Sequence, residues 1–380
     1  MRHPRPRLRA LLPRPALALL ASSAFAGFSY RHLSTTSNTT NDAGADEESP
    51  VLHPRLFTGY RLAERRSVGS GDGRGGIFVL RKDGGEGPSL EDWWTNKVWS
   101  VEVKQPQLQI ARAYTPLPPI PYDTTTTITT TSADATPAST ATAASATSPL
   151  RFWIRHAGEV SAYLHRLAPG TSNVSLRGPH AEFSLPPNTS DVLFLAGGTG
   201  IAPALQVAHA LLVKRGEGGA ERVRIMWAVR RREECAGGVG DVGGEEEGRW
   251  WGWLKGGRGW GGGGGGGGTV GEGEELGEIV REIEALKRAV RPGRKFEVQY
   301  FVDEEGSFIQ PGRPEAQPEA QKQSGAQTPH PTKLILLAGP DGFLDAWAGR
   351  KLWAEKGEVQ GPLRGALSRM DLGGWRVWKL

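Results

Sequence analysis

The sequence predicts two unlike domains in series: a mostly-β domain, then an α/β domain built on a parallel sheet. Three observations carry that prediction. Up to about residue 190, apolar residues fall in short alternating stretches typical of half-buried strands, with one helical period among them. Beyond Asp191, continuous apolar runs take turns with helix-like stretches, which argues for parallel strands with helices on the faces of the sheet. Glycine turns stand at the ends of several of these runs, where open α/β sheets bind ligands.

The 380 residues suffice for two domains of ordinary size, yet 53 glycines, 27 prolines and a hydrophobic share of 38% leave part of the chain unable to bury apolar surface. The globular part is therefore shorter than the chain. Residues 123–149 are nearly all Thr, Ala and Ser. Residues 236–273 are rich in glycine around Trp250, Trp251, Trp253 and Trp260, and 310–331 are Pro, Gln and Ala. Each reads as an insertion on the surface. Residues 1–49 read as a targeting segment and linker. Arg2, Arg5, Arg7, Arg9, Arg14 and Arg31 precede the first acidic residue, Asp42, and serines and threonines follow. The apolar stretch from Ala16 to Tyr30 falls short of the about 20 residues that a membrane span needs. The formal charge of +5 does not point to nucleic acid, because the arginines are not spread evenly and many of them sit at the very start. A single cysteine, Cys235, excludes an internal disulfide and a cysteine-built zinc site, and no metal or haem ligand is recognisable.

In the first domain, 50–189, Gly76 to Leu80, Val98 to Lys104 and Leu150 to Arg155 read as strands. Trp99, Val101 and Val103 alternate with Ser100, Glu102 and Lys104. Val160, Tyr163, Leu164 and Leu167 follow a helical period, so a short helix begins near Ser161. In the second domain, 190–380, Val192 to Ala196 is a buried strand, followed by a glycine turn and a helix from Pro203 to Lys214. Val223 to Val229 is a second strand. The stretch from Glu274 to Val290 sets Leu276, Ile279, Val280, Ile283 and Leu286 on one helical face. Phe296 to Val302 and Leu334 to Ala338 complete the set.

Four segments carry chemistry. Gly197, Gly198, Thr199, Gly200 and Pro203 lie in a strand–turn–helix context that suits a pyrophosphate: glycines admit it closely and the helix N-terminus offers free amides. The spacing is not the standard G-x-G-x-x-G, and a tight structural turn is the bland alternative. In QLQIARAYTPLP, read as the end of the alternating strand, Arg112 offers a positive fork for phosphate, Tyr114 a flat ring and Thr115 a hydroxyl, with Ala113 between them. At Gly158, Glu159, Val160 and Ser161 a glycine again opens a helix. Gly339, Pro340 and Phe343 follow the last apolar strand.

With all four motifs in order over roughly Leu52 to Leu380, the chain resembles the ferredoxin reductase superfamily, in particular its cytochrome b5 reductase branch. The resemblance implies a β-barrel that binds FAD, followed by an α/β parallel-sheet domain that binds NADH or NADPH. It implies that Arg112 contacts the FAD pyrophosphate and that Tyr114 and Thr115 meet the isoalloxazine. Gly158, Val160 and Ser161 form a second phosphate turn, with Arg155 adding a contact. Gly197 to Pro203 is then the dinucleotide loop, with Thr199 near both flavin and nicotinamide, and Gly339, Pro340 and Phe343 close over the nicotinamide. Thr115 and Thr199 thus stand at the hydride-transfer site. Two departures are Ala338, where the family has cysteine, and the absence of a terminal aromatic residue. Asp303 argues for NADH, because a carboxylate accepts from a ribose hydroxyl and repels a 2′-phosphate; Arg230, Arg231 and Arg232 argue the other way, and the balance leans to NADH. A narrower resemblance, through KQPQLQIARAYTPLPP and WAVRRREEC, is to fungal mitochondrial flavoproteins of cytochrome c import. It implies a mitochondrial location, possible inner-membrane association, a haem or cytochrome-type electron acceptor, and apocytochrome c with its haem ligation enzyme as partners.

Overall fold

The computed structural model describes residues 52–68, 75–82, 90–119, 149–216, 218–241, 276–311, 332–355 and 357–380. The targeting segment, the tryptophan cluster and most of the three insertions lie outside the described residues.

The first part is a six-stranded antiparallel sheet, β1 (Thr58–Ser67), β2 (Gly75–Arg81), β3 (Lys97–Gln105), β4 (Ile110–Tyr114), β5 (Leu150–Arg155) and β6 (Asn173–Ser184), in the order β4-β3-β6-β1-β2-β5. The sheet curls until its two ends meet. Leu117, just past β4, bridges Arg151 on β5, its amide donating to the Arg151 carbonyl at 2.7 Å. This is the expected barrel. Its interior is filled by Leu62, Phe78, Trp99, Val101, Phe152, Val174 and their neighbours.

Two features differ from expectation. QLQIARAYTPLP is not the end of the alternating strand: the chain turns back after Gln105, and β4 pairs antiparallel with β3, Arg112 opposite Val103 and Tyr114 opposite Val101. Beside the expected helix, α2 (Glu159–Arg166), the barrel carries another, α1 (Glu91–Asn96), which buries Trp94.

The second part is a parallel sheet of β7 (Thr189–Gly197), β8 (Arg222–Val229), β9 (Lys295–Val302), β10 (Thr332–Ala338) and β13 (Arg376–Lys379), ordered β13-β10-β7-β8-β9. Among the described residues its α-helices are α3 (Ile201–Ala208), α4 (Glu278–Ala289) and α5 (Asp341–Ala348), and the hairpin β11 (Leu352–Ala354) and β12 (Gly357–Val359) precedes β13. The expected helix from Pro203 to Lys214 starts at Ile201 and finishes as a π-helical turn, His209–Lys214. Pro203 falls in the first helical turn, where its missing N–H breaks no bond.

All eight residues of α3 are buried, as befits a helix covered on every side. It lies between barrel and sheet, and one apolar cluster runs through it from Ile77, Val98 and Trp153 to Phe194, Ile225 and Trp227. Gln206 of α3 bonds the barrel directly. Its Oε1 accepts from the Trp99 amide at 2.9 Å, while Nε2 donates to the carbonyls of Trp99 (3.2 Å) and Pro116 (2.8 Å). Arg215 donates to the carbonyls of Thr95, Leu185 and Pro186 and to Asn96.

Strand β5 makes the other half of this junction by alternation. Phe152 and Ile154 enter the barrel core. Arg151, Trp153 and Arg155 face the sheet domain, where Arg151 pairs with Glu282 of α4 and Trp153 sets its ring edge-on to Trp227 of β8 at 5.8 Å.

Replacing Gln206 by Leu removes its three hydrogen bonds to buried backbone groups and is expected to cost on the order of 3 kcal/mol, read from urea midpoints. His209, buried beside Trp94, gives a pH signature. Burial, helped by the nearby Lys214 charge, lowers its pKa from an ordinary 6.5 to about 4. The folded state therefore binds fewer protons than the unfolded chain, and this contribution to stability is lost as pH falls from 6.5 toward 4. His209→Gln is expected to flatten the measured stability across that window.

Candidate functional site

The site is built on the C-terminal edge of the parallel sheet. Leaving β7, the chain makes a short 3-10 turn, Gly198–Gly200, and enters α3. Gly198 has φ 53, a left-handed conformation that glycine adopts without strain, and its carbonyl accepts from the buried Trp227 Nε1 at 2.9 Å. At Gly200 a Cβ would stand 2.1 Å from the Ala338 carbonyl oxygen, so only glycine lets the helix start so close to β10. That contact sets the two glycine turns side by side. The Phe343 ring lies across the first: a Cβ on Gly197 would be 2.9 Å from Phe343 Cγ, and one on Gly339 3.0 Å from Gly197 Cα. Pro340 is exposed and caps α5.

Arg155, the last residue of β5, reaches this turn from the barrel. Its Nη1 lies 3.1 Å from where a Gly198 Cβ would stand, and its Nη2 3.4 Å from Glu234 Oε1. Thus Arg155, Gly197, Gly198, Thr199, Gly200, Gly339 and Phe343 are brought together.

The barrel residues form a second group. Arg112 and Tyr114 share a face of β4, and Ala113, on the other, is exposed. Tyr114 packs against the barrel core, and burial pushes its pKa up to about 12, so the phenol stays protonated. Arg112 Nη1 donates to the Ala111 carbonyl at 2.9 Å. Helix α2 lies beside β3 and β4 with Gly158 at its N-cap, exposed, where a Cβ would meet nothing within 4 Å. Ser161 Oγ holds this turn itself, accepting from the amides of Ala157 and Gly158 at 2.9 Å and donating to the Gly158 carbonyl at 2.8 Å. Val160 is buried in the core, leaving its backbone amide as the group it can offer. Thr115 follows β4, one residue before the Pro116 carbonyl that Gln206 holds, so α3 ties the two groups together.

Asp303 stands apart, exposed at the end of β9, two strands or about 10 Å from β7. The arginine cluster after β8 lies next to it. The Glu304 amide donates to the Arg230 carbonyl, and Arg232 is engaged by Glu305 through Nε at 2.6 Å, with the Arg232 amide bonded to Glu304 Oε1.

No family model matches the chain. It is 26% identical over 145 residues, 37% of its own length and 36% of the relative's, to the cytochrome c mitochondrial import factor CYC2 of Saccharomyces cerevisiae. It is 36% identical over 78 residues, 20% of its length and 25% of the relative's, to NADH-cytochrome b5 reductase 1 of Pyricularia oryzae. The chain thus spans about a third and a quarter of these two relatives. The cytochrome b5 reductase domain of Ulva prolifera nitrate reductase is a solved structure 16% identical, with a TM-score of 0.42, matched over 78% of this chain and 92% of that one. The chain is similar to cytochrome b5 reductases. An exposed helix N-terminus next to the strand that carries Arg112, and a glycine turn topped by Arg155, are groups of the kind that hold phosphate.

Sequence reasoning missed Glu234, Trp227 and Gln206. The signal for the first two was the outward series Arg151, Trp153, Arg155 on β5, which needs partners from a second domain. Gly200→Ala is expected to destabilise the chain by about 2–4 kcal/mol through its clash with Ala338, whereas Gly158→Ala, with open space around it, is expected to unfold at the wild-type denaturant midpoint.

Proposed function

We propose that the chain is an FAD-dependent oxidoreductase that takes hydride from NADH or NADPH and passes single electrons to an acceptor, haem iron during mitochondrial cytochrome c maturation. The observation that carries this reading is the meeting of the two domains at Gly198, where a barrel arginine covers a strand–turn–helix glycine loop. A bound flavin supplies hydride acceptance and one-electron release, and the protein contributes position and electrostatics.

In this reading Arg112 neutralises one FAD phosphate, the α2 amides after Gly158 hold the next, and Tyr114 and Thr115 line the flavin ring. Arg155, expected to add a contact at the FAD phosphate turn, lies over Gly198 instead, so its free edge and the N-terminus of α3 would receive the dinucleotide pyrophosphate. Thr199 would lie near both the flavin and the nicotinamide. Phe343, whose ring lies on Gly197, would close over a bound nicotinamide. The acidic turn at Asp303 favours NADH.

The cytochrome c import name of one relative supports the haem acceptor, the mitochondrial location, and apocytochrome c with its ligation enzyme as partners. For inner-membrane association, no helix among the described residues is long and apolar enough to cross a bilayer. A second reading, a flavin-binding assembly factor without turnover, is favoured by Ala338 in place of the family's cysteine.

Anaerobic titration of the purified flavoprotein separates the two. Bleaching of the flavin band, more readily with NADH than NADPH, is expected; no bleaching with either would leave the binding role. Arg112→Ala and Tyr114→Ala are expected to release FAD. Gly198→Ala is expected to keep FAD and slow its reduction about a hundredfold by misplacing the nicotinamide.

A further inference from the structure

The Arg155–Glu234 pair crosses from barrel to sheet domain at the glycine loop, and the mechanism above leaves its acid without a task. Glu234 lies in the turn Arg232–Cys235 that follows β8. Its side chain is 14% exposed, and its Oε2 is buried without a hydrogen-bond partner. A half-satisfied buried carboxylate costs stability, so packing alone does not account for it. Besides the Arg230 backbone and the charges of Arg230 and Arg231 in its own turn, the group it meets is Arg155 of the barrel. The guanidinium has two edges: Nη2 faces Glu234 Oε1 at 3.4 Å, while Nη1 lies over Gly198. Without that anchor, a long arginine side chain at a strand end samples many rotamers.

We propose that Glu234 is a positioning residue for dinucleotide binding: by holding one edge of the Arg155 guanidinium it keeps the other over Gly198, ready for an incoming pyrophosphate. The proposal rests on the reading of Gly197 to Pro203 as the dinucleotide loop. Glu234 itself touches no cofactor. The missing side chain at Gly198 leaves the room that the guanidinium fills. Burial pushes the Glu234 pKa up, and the charges of Arg155, Arg230 and Arg231 oppose that shift.

The test uses the full chain loaded with FAD, as wild type, Glu234→Gln, Glu234→Asp, Arg155→Ala and the Glu234→Gln/Arg155→Ala double variant. ADP-ribose binding is measured by calorimetry, and KM and kcat for NADH with ferricyanide as acceptor. Glu234→Gln is expected to weaken ADP-ribose and raise the KM by about tenfold, the loss of one oriented charge-assisted contact, with kcat changed far less and FAD occupancy unchanged. Glu234→Asp, which keeps the charge, is expected to recover part of the loss. The double variant should bind no more weakly than Arg155→Ala, since both changes remove one interaction. Unchanged or tighter ADP-ribose binding in Glu234→Gln would overturn the proposal, as would losses that add in the double variant. If the wild type retains FAD but binds no ADP-ribose, the reading of the loop fails and the proposal with it.

Discussion

The structure depends on the outward face of β5. A strand places successive side chains on opposite sides, so one short strand can serve two cores at once. Phe152 and Ile154 close the barrel, while Arg151, Trp153 and Arg155 present an ion pair, an aromatic contact and a guanidinium to α4, β8 and the glycine loop in turn. A one-residue slip of β5 would exchange the two sets, burying two arginines in the barrel and turning Phe152 and Ile154 toward Glu282. Domain association and site geometry are therefore one constraint.

Helix α3 answers that constraint from the other side. Its start is pinned where Gly200 meets Ala338, and the turn before it is pinned by Trp227 holding the Gly198 carbonyl. Further along, Gln206 bonds the barrel at Trp99 and Pro116. The helix that in the proposed reading offers its N-terminal amides to a ligand is thus bonded to both domains. Electrostatic preorganisation needs this kind of rigidity, because dipoles that reorient on binding give back much of their advantage.

What the sequence made legible follows from the range of each constraint. Strand β3 shows its alternation because one face is more polar than the other, and the glycine turns show themselves because their demands are local. Strand β1 was missed because its register shifts between Leu62 and Glu64, which breaks the period, and β6 because Gly178 and Pro179, poor strand residues, sit at the shift opposite Ser100 and Glu102. The dual role of β5 was hidden because Arg151, Trp153 and Arg155 read along the chain as an ordinary outward side, and only the fold shows that this side is largely buried too. Glu234 had no local signature at all. It matters through Arg155, far away in the chain, and only the packing of β5 against β8 brings them together.

The same packing bears on which nicotinamide dinucleotide fits. Read along the chain, Arg230, Arg231 and Arg232 form a cationic cluster suited to a 2′-phosphate. In space, β8 and β9 are neighbours, so the cluster faces Asp303, Glu304 and Glu305 at the same edge of the sheet. Arg232 is held by Glu305 through its side chain and by Glu304 through its amide, and hydrogen bonding to Glu305 raises its pKa further. Arg232 thus has acidic counterparts across the strand pair, so its guanidinium is already engaged where a 2′-phosphate would have to compete for it. A ribose hydroxyl asks less. It needs one acceptor, and Asp303 stands exposed at the end of β9 with its carboxylate available.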